Sequence, residues 1–193
     1  DFNGFYFTCE VELFESVNSH NRTILGVPCA PALFGPTHVP ALHESGSLLV
    51  DVPLHTTKDS IGLGCPKEGA TWPVASPDEG NLGGVDFVRR GECAFHEKTR
   101  HMKQSRQSQG AVVLNTEADE LLVMSGDPEE EQGHEFPVTV LVTGMDGQDL
   151  LESADNATQQ VGSRVVVRIK LGTSFSSQYG DGRFNLPSSD YGW

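Results

Sequence analysis

Positive charge is scarce in this chain, and long apolar runs are missing. Of its 193 residues, 13 are Lys or Arg against 27 Asp or Glu, a formal net charge of −14. Binding to nucleic acid rests on Lys and Arg neutralising phosphates and releasing counterions, so no nucleic-acid partner is expected. No apolar stretch approaches the roughly 18 residues that suggest a membrane-spanning helix. The strongest, Val165 to Ile169, is interrupted by Arg168, and no membrane contact is expected of this fragment. The chain opens at Asp1 with neither an initiator Met nor a signal sequence. It is therefore expected to be an excised or processed piece of a longer protein.

The compact patterns of site chemistry are also lacking. There is no Cys-x-x-Cys and no cysteine–histidine spacing of the zinc-finger kind. Among the histidines at 20, 38, 43, 55, 96, 101 and 134, only His38/His43 and His96/His101 come close together. Neither pair has the i, i+4 spacing that sets two ligands on one helical face, and all read as solvated surface. The acidic run Asp127, Glu129, Glu130, Glu131 and Glu135 lacks the regular spacing and central Gly of an EF-hand loop, so it reads as a solvated loop. No Gly-x-Ser-x-Gly occurs, and Ser45 follows no convincing strand. Gly80, Gly83 and Gly84 precede a strand instead of opening a helix, which excludes a phosphate loop. No catalytic residue, metal or cofactor is assigned. Two of the 27 carboxylates meeting in a cleft would be the basis of a rival reading, a small secreted hydrolase.

What is present points to an oxidising compartment. The four cysteines, Cys9, Cys29, Cys65 and Cys93, are even in number, which favours disulfides while leaving three connectivities open. Cys93 at a helix start also admits a reactive thiolate, since that position lowers a thiol pKa; the even count favours a structural bridge. Two sequons, Asn21-Arg22-Thr23 and Asn156-Ala157-Thr158, agree with passage through the endoplasmic reticulum, and both asparagines are expected on exposed loops or element ends.

Phe5, Phe7, Cys9, Val11 and Leu13 alternate with Tyr6, Thr8, Glu10 and Glu12, the period of a strand with one buried face. Val165, Val167, Ile169 and Leu171 alternate with Arg164, Val166, Arg168 and Lys170. The two strands are expected to pair, with the basic set opposite the acidic one at about 0.2 to 1 kcal/mol per pair. Between them, Leu48 to Leu54, Val85 to Arg90, Ala111 to Leu114, Leu121 to Met124 and Val138 to Val142 read as short buried strands. Helices are expected over Cys93 to Gln107 and from near Gly147 to about Ala154. The aromatics Phe175, Tyr179, Phe184, Tyr191 and Trp193 of the serine- and glycine-rich tail are expected to dock on the domain or on a neighbour, since each can bury about 150 to 250 Å².

The stretch from Val85 to Asn115 combines a strand, a tight turn, a cysteine-started helix and a second strand. It carries Arg90, Gly91, Cys93, Phe95, Lys98, the run Gly110 to Val113, and Asn115. In that order it resembles the core of the protease-associated domain, whose strand ends in Arg-Gly-x-Cys-x-Phe before a Lys-bearing helix and a Gly-Ala-Val-Val strand. Ala32 to Pro36, Gly64 with Cys65, and Phe136 to Leu150 extend the likeness over residues 28 to 155. Gln104 to Gln109 depart from it where the family carries alanines, so that helical face is expected to be more solvated.

The resemblance implies an α+β fold, a β-rich β/β/α sandwich with two short helices, as a domain over residues 1 to 172 followed by the tail at 173 to 193. It implies a Cys65–Cys93 bridge, which leaves Cys9 with Cys29. It further implies a non-catalytic module for protein interaction or substrate recruitment, in the endoplasmic reticulum lumen or secreted. Its partners would be a protein or glycoprotein substrate and the catalytic domain of the parent chain. Parents in the family include secreted peptidases, sorting receptors and α-mannosidase-like proteins that mark misfolded glycoproteins for degradation; the last is the expected parent.

Overall fold

The structure is a computed structural model and describes residues 5–17, 20–37, 47–54, 61–66, 83–126, 135–159 and 164–175. Its elements are β1 (Phe5–Val17), β2 (His20–Pro28), β3 (Ala30–Pro31), β4 (Ser47–Pro53), β5 (Val85–Arg89), α1 (Phe95–Arg106), β6 (Gly110–Leu114), β7 (Val138–Val142), α2 (Gly144–Thr158) and β8 (Arg164–Phe175). They form two four-stranded sheets, ordered β2-β1-β8-β4 and β3-β7-β6-β5. Among the described residues the fold is a strand-rich α+β sandwich with two helices.

The first sheet is antiparallel throughout, as its alternating sequences require. β1 and β8 pair from Phe5 opposite Phe175 to Ser16 opposite Arg164, with Glu10 facing Lys170 and Glu12 facing Arg168. Val11, Leu13, Val167 and Ile169 are fully buried, and each such side chain contributes about 1.5–3 kcal/mol. On the other face Lys170 contacts both Glu12 and Glu10, and Arg168 lies 4.4 Å above the Phe14 ring. Exposed pairs of this kind add about 0 to 1 kcal/mol each, so burial dominates.

The second sheet has a different logic. β5, β6 and β7 are parallel, with β3 antiparallel at the β7 edge. Val85, Phe87, Val112, Leu114, Val138, Val140 and Val142 share the main core with Leu150, Leu151 and Ala154 of α2 and with the first sheet. Val88, Ala111, Val113 and Leu141 face the opposite way, toward Met102 of α1, Phe34, Met124 and Phe136. Both faces are covered, which is why these strands are short continuous apolar runs without alternation.

Several elements differ from the sequence expectation. α1 runs from Phe95 to Arg106, two residues inside the expected start, because the chain at Gly91 to Cys93 is still turning: Gly91 has φ 125° and Glu92 φ 62°. Ala94 is its N-cap, its N–H satisfied by the Glu97 carboxylate at 3.0 Å. α2 begins three residues before Gly147 and extends to Thr158, because the Thr143 hydroxyl accepts from Asp146 N at 3.0 Å and caps it. Leu121 to Met124 is not a strand; only Met124 makes a bridge, to Ala32. β2 carries no clean alternation, because it is an edge strand whose register shifts against Leu13 and Phe14. β8 continues to Phe175, beyond the alternation that ends at Leu171. Tyr179, Phe184, Tyr191 and Trp193 of the tail lie outside the described residues, as do His38, His43, His55, His134 and the acidic positions 127 and 129 to 131.

Candidate functional site

Of the motif residues, Arg90, Gly91, Cys93, Phe95 and Lys98 lie on the connection from β5 to α1 and the first turn of that helix, and Asn115 reaches it through Arg90. Gly91 takes the left-handed region that side chains disfavour, and a Cβ there would meet only Leu63 Cδ2, at 3.5 Å. The strain of a substitution is therefore in the backbone. Gly91→Val is expected to lower stability by more than about 1 kcal/mol, read as a shift of the denaturant midpoint at constant slope; an unchanged midpoint would mean the turn tolerates another conformation. Cys93 follows and is bonded to Cys65, while Cys9 is bonded to Cys29.

Lys98, one turn into α1, is fully buried beneath this turn. Its ammonium donates to Leu63 O at 2.6 Å and Gly91 O at 2.5 Å, and lies 3.1 Å from Cys65 Sγ and 3.5 Å from Cys93 Sγ. Two carbonyls and a sulfur use three N–H donors, the number an ammonium has and a neutral amine lacks. Burial lowers its pKa from the ordinary 10.5, against the opposing pull of Glu92 and Glu97. Between the lowered value and 10.5 the unfolded chain holds the extra proton, so this group makes stability rise with pH across that window. The unfolding free energy of the native chain minus that of Lys98→Met should therefore rise as pH climbs toward 10.5; a difference constant with pH would show that the burial cost is absent.

A groove of about 680 Å³ opens beside the turn, at the carboxyl ends of β5, β6 and β7, where ligands of open parallel sheets bind. Arg89 and Arg90 line it from the end of β5, Leu114, Asn115 and Thr116 from the end of β6, and Gly144, Met145, Gln148, Leu151 and Glu152 from α2. The Arg90 guanidinium is fixed by Asn115 Oδ1 at 2.9 Å, and Asn115 Nδ2 donates to Glu120 O at 2.9 Å. The amides of Gly144 and Met145 donate to Glu117 O and Ala118 O, which seats the start of α2 on the loop after β6. Gly147 lets α2 approach β6, since a Cβ there would lie 2.2 Å from Leu114 Cγ. Arg89 is exposed and Met145 is 56% exposed, giving a rigid floor with one cation and one large apolar side chain at its rim.

Phe95 opens α1 and is half-buried against the core under that helix. Gly110 starts β6 opposite Val138. Asn156 is exposed in the last turn of α2, and Asn21 lies second in β2, opposite Ser16. His96 is buried and His101 half-buried, against the expectation of solvated surface, because the two flank the inward stripe of Phe95, Lys98, Thr99 and Met102 on either side. The Gln104 to Gln109 stretch is likewise only partly solvated. Ser108 is fully buried and donates to Asp86, and Arg106 Nε lies 3.1 Å from the other Asp86 oxygen. The signal for this group was Asp86 itself, an acid in the otherwise apolar strand VDFV.

Neither a family model nor a curated protein matches the chain. Among solved structures it is similar to an aminopeptidase from Aneurinibacillus sp. strain AM-1, at 15% identity over 88% of this chain and 33% of that one, with a TM-score of 0.45. It is also similar to BSAP, a zinc aminopeptidase from Bacillus subtilis, at 18% identity over 90% of this chain and 34% of that one, with a TM-score of 0.42. The chain thus spans about a third of the length of each.

Proposed function

We propose that this chain is a non-catalytic interaction module of a secretory-pathway enzyme, and that the groove at the carboxyl ends of β5 to β7 is its contact surface. The observation that carries this is the composition of the groove. Among the described residues its lining holds one carboxylate, Glu152, and no His, Ser or Cys, a set suited to holding a polypeptide rather than to supplying a nucleophile and a base. Arg90 is locked by Asn115 while Arg89 and Met145 remain open to a partner, the pairing of cation and flexible apolar contact that protein surfaces use. The two disulfides support an oxidising compartment, lumenal or secreted.

A peptidase parent is in keeping with the solved chains named above, and we set it ahead of the α-mannosidase-like parent, for which no observation of this chain speaks. Arg89→Glu and Met145→Asp test the surface. Each is expected to weaken capture of the parent's catalytic domain or its substrate polypeptide about tenfold or more while leaving the melting midpoint within about 1 °C, since surface changes away from the core cost little. Undiminished capture by both variants would move the contact elsewhere. Robust turnover of a peptide or glycoside panel by the isolated chain would overturn the non-catalytic reading.

A further inference from the structure

The two disulfides sit in opposite surroundings. Cys29 is 2% exposed in the apolar core between the sheets, and the partly buried Cys9 packs against that core. Cys65 and Cys93 are both partly exposed, with exposed Glu92 and Ala94 on either side of Cys93, and a buried lysine lies within 3.5 Å of both sulfurs. A structural bridge needs no cation behind it. A sulfur that must leave as a thiolate does, because a neighbouring ammonium lowers the pKa of the departing thiol and a lower pKa makes it leave faster.

We propose that the Cys65–Cys93 bridge is a thiol-exchange site whose substrate is an external thiol, with Cys93 the sulfur attacked and Cys65 the sulfur released. A thiolate attacks Cys93 Sγ and forms a new S–S bond with it. The Cys65–Cys93 bond breaks, and its electron pair stays on Cys65 Sγ, the nearer of the two to Lys98 Nζ at 3.1 Å. A second external thiolate then attacks the mixed disulfide, releasing the Cys93 thiolate and an external disulfide, so the two electrons come from the external thiols. Lys98 acts on the leaving group and is a positioning residue, not a carrier of electrons. Its bonds to Leu63 O and Gly91 O do not depend on the bridge. They keep both cysteine-bearing segments on α1 while it is open, and the bridge of Gly62 to Val88 with the bond from Arg89 N to Gly62 O at 2.8 Å keeps the Cys65 segment on β5. Burial disfavours the protonated form of Lys98, and the charges facing it, Glu92 and Glu97, oppose that in part, as a Cys65 thiolate would in turn.

The test treats the folded 193-residue chain with graded reduced glutathione, quenches by alkylation and maps the peptides. The Cys65–Cys93 bridge should open first, with glutathione on Cys93 and the alkyl group on Cys65, while Cys9–Cys29 stays closed. Lys98→Met should slow the opening by about three- to tenfold and leave Cys9–Cys29 unchanged. In the unsubstituted chain, alkylation of reduced Cys65 against pH should have its midpoint below the ordinary thiol value of about 8.5, a readout that stands even if Lys98→Met fails to fold. Both bridges opening together, glutathione on Cys65, an unchanged rate in Lys98→Met, or a midpoint at or above about 8.5 would each overturn the proposal.

Discussion

Asp86→Ala is expected to destabilise the domain by about 3–5 kcal/mol, the cost of removing one partner of a buried ion pair. Asp86 is 1% exposed on β5, on the face that looks toward α1. One of its oxygens is ion-paired with Arg106, 3.1 Å from Nε, and the other accepts from the Ser108 hydroxyl. Those partners sit on either side of Gln107, where the chain leaves α1 through a left-handed residue with φ 54°. A single carboxylate therefore ties the end of α1 and the start of the return to β6 onto β5. Truncation deprives Arg106 of this partner and leaves the fully buried Ser108 hydroxyl with Met102 O at 3.2 Å as the acceptor it retains. Asp86→Asn keeps a hydrogen-bonding group of the same shape and should cost less, which separates loss of charge from loss of the whole clasp. Urea titration of both variants decides the matter. A loss below about 1 kcal/mol for Asp86→Ala would show that α1 is held by Met102 and its apolar neighbours alone.

Much of this fold is written in local pattern, and the exceptions have physical reasons. β1 and β8 were legible because one face of each is buried and the other solvated, so Val11 and Leu13 alternate with Glu10 and Glu12 in plain view. β5, β6 and β7 were legible only as short apolar runs, since cover on both faces erases alternation. That same signal misassigned Leu121 to Met124, whose Leu121, Leu122 and Met124 pack against the core under α1 without a partner ladder beyond Met124. β2 was missed because an edge strand with a register shift need not alternate. The histidines of α1 were misjudged because sequence periodicity does not say which loops cover a helix. The sharp turn between β5 and α1 was legible in the Arg90-Gly91 pair between an apolar run and a helical stretch. The groove was not, since Arg89, Asn115 and Met145 come from three elements and meet only because parallel strands end on one edge.

Removing the Cys65–Cys93 bridge, as Cys65→Ala with Cys93→Ala, is expected to cost roughly 3 to 4 kcal/mol in the chain-entropy model, for a bridge that spans 28 residues. That is a large share of the 5–15 kcal/mol typical of a domain, yet short of all of it. Removing Cys9–Cys29, which spans 20 residues, releases a similar loop entropy and adds a packing loss, because Cys29 is buried in the main core. The second variant should therefore be the less stable of the two, although its loop is shorter. Thermal unfolding of the two double variants side by side, without reductant, tests the order. A smaller loss for Cys9–Cys29 would mean that its core position contributes nothing beyond chain restriction. A negligible loss for Cys65–Cys93 would mean that Lys98, with its carbonyl partners Leu63 and Gly91, already holds the turn in place without the sulfur bond.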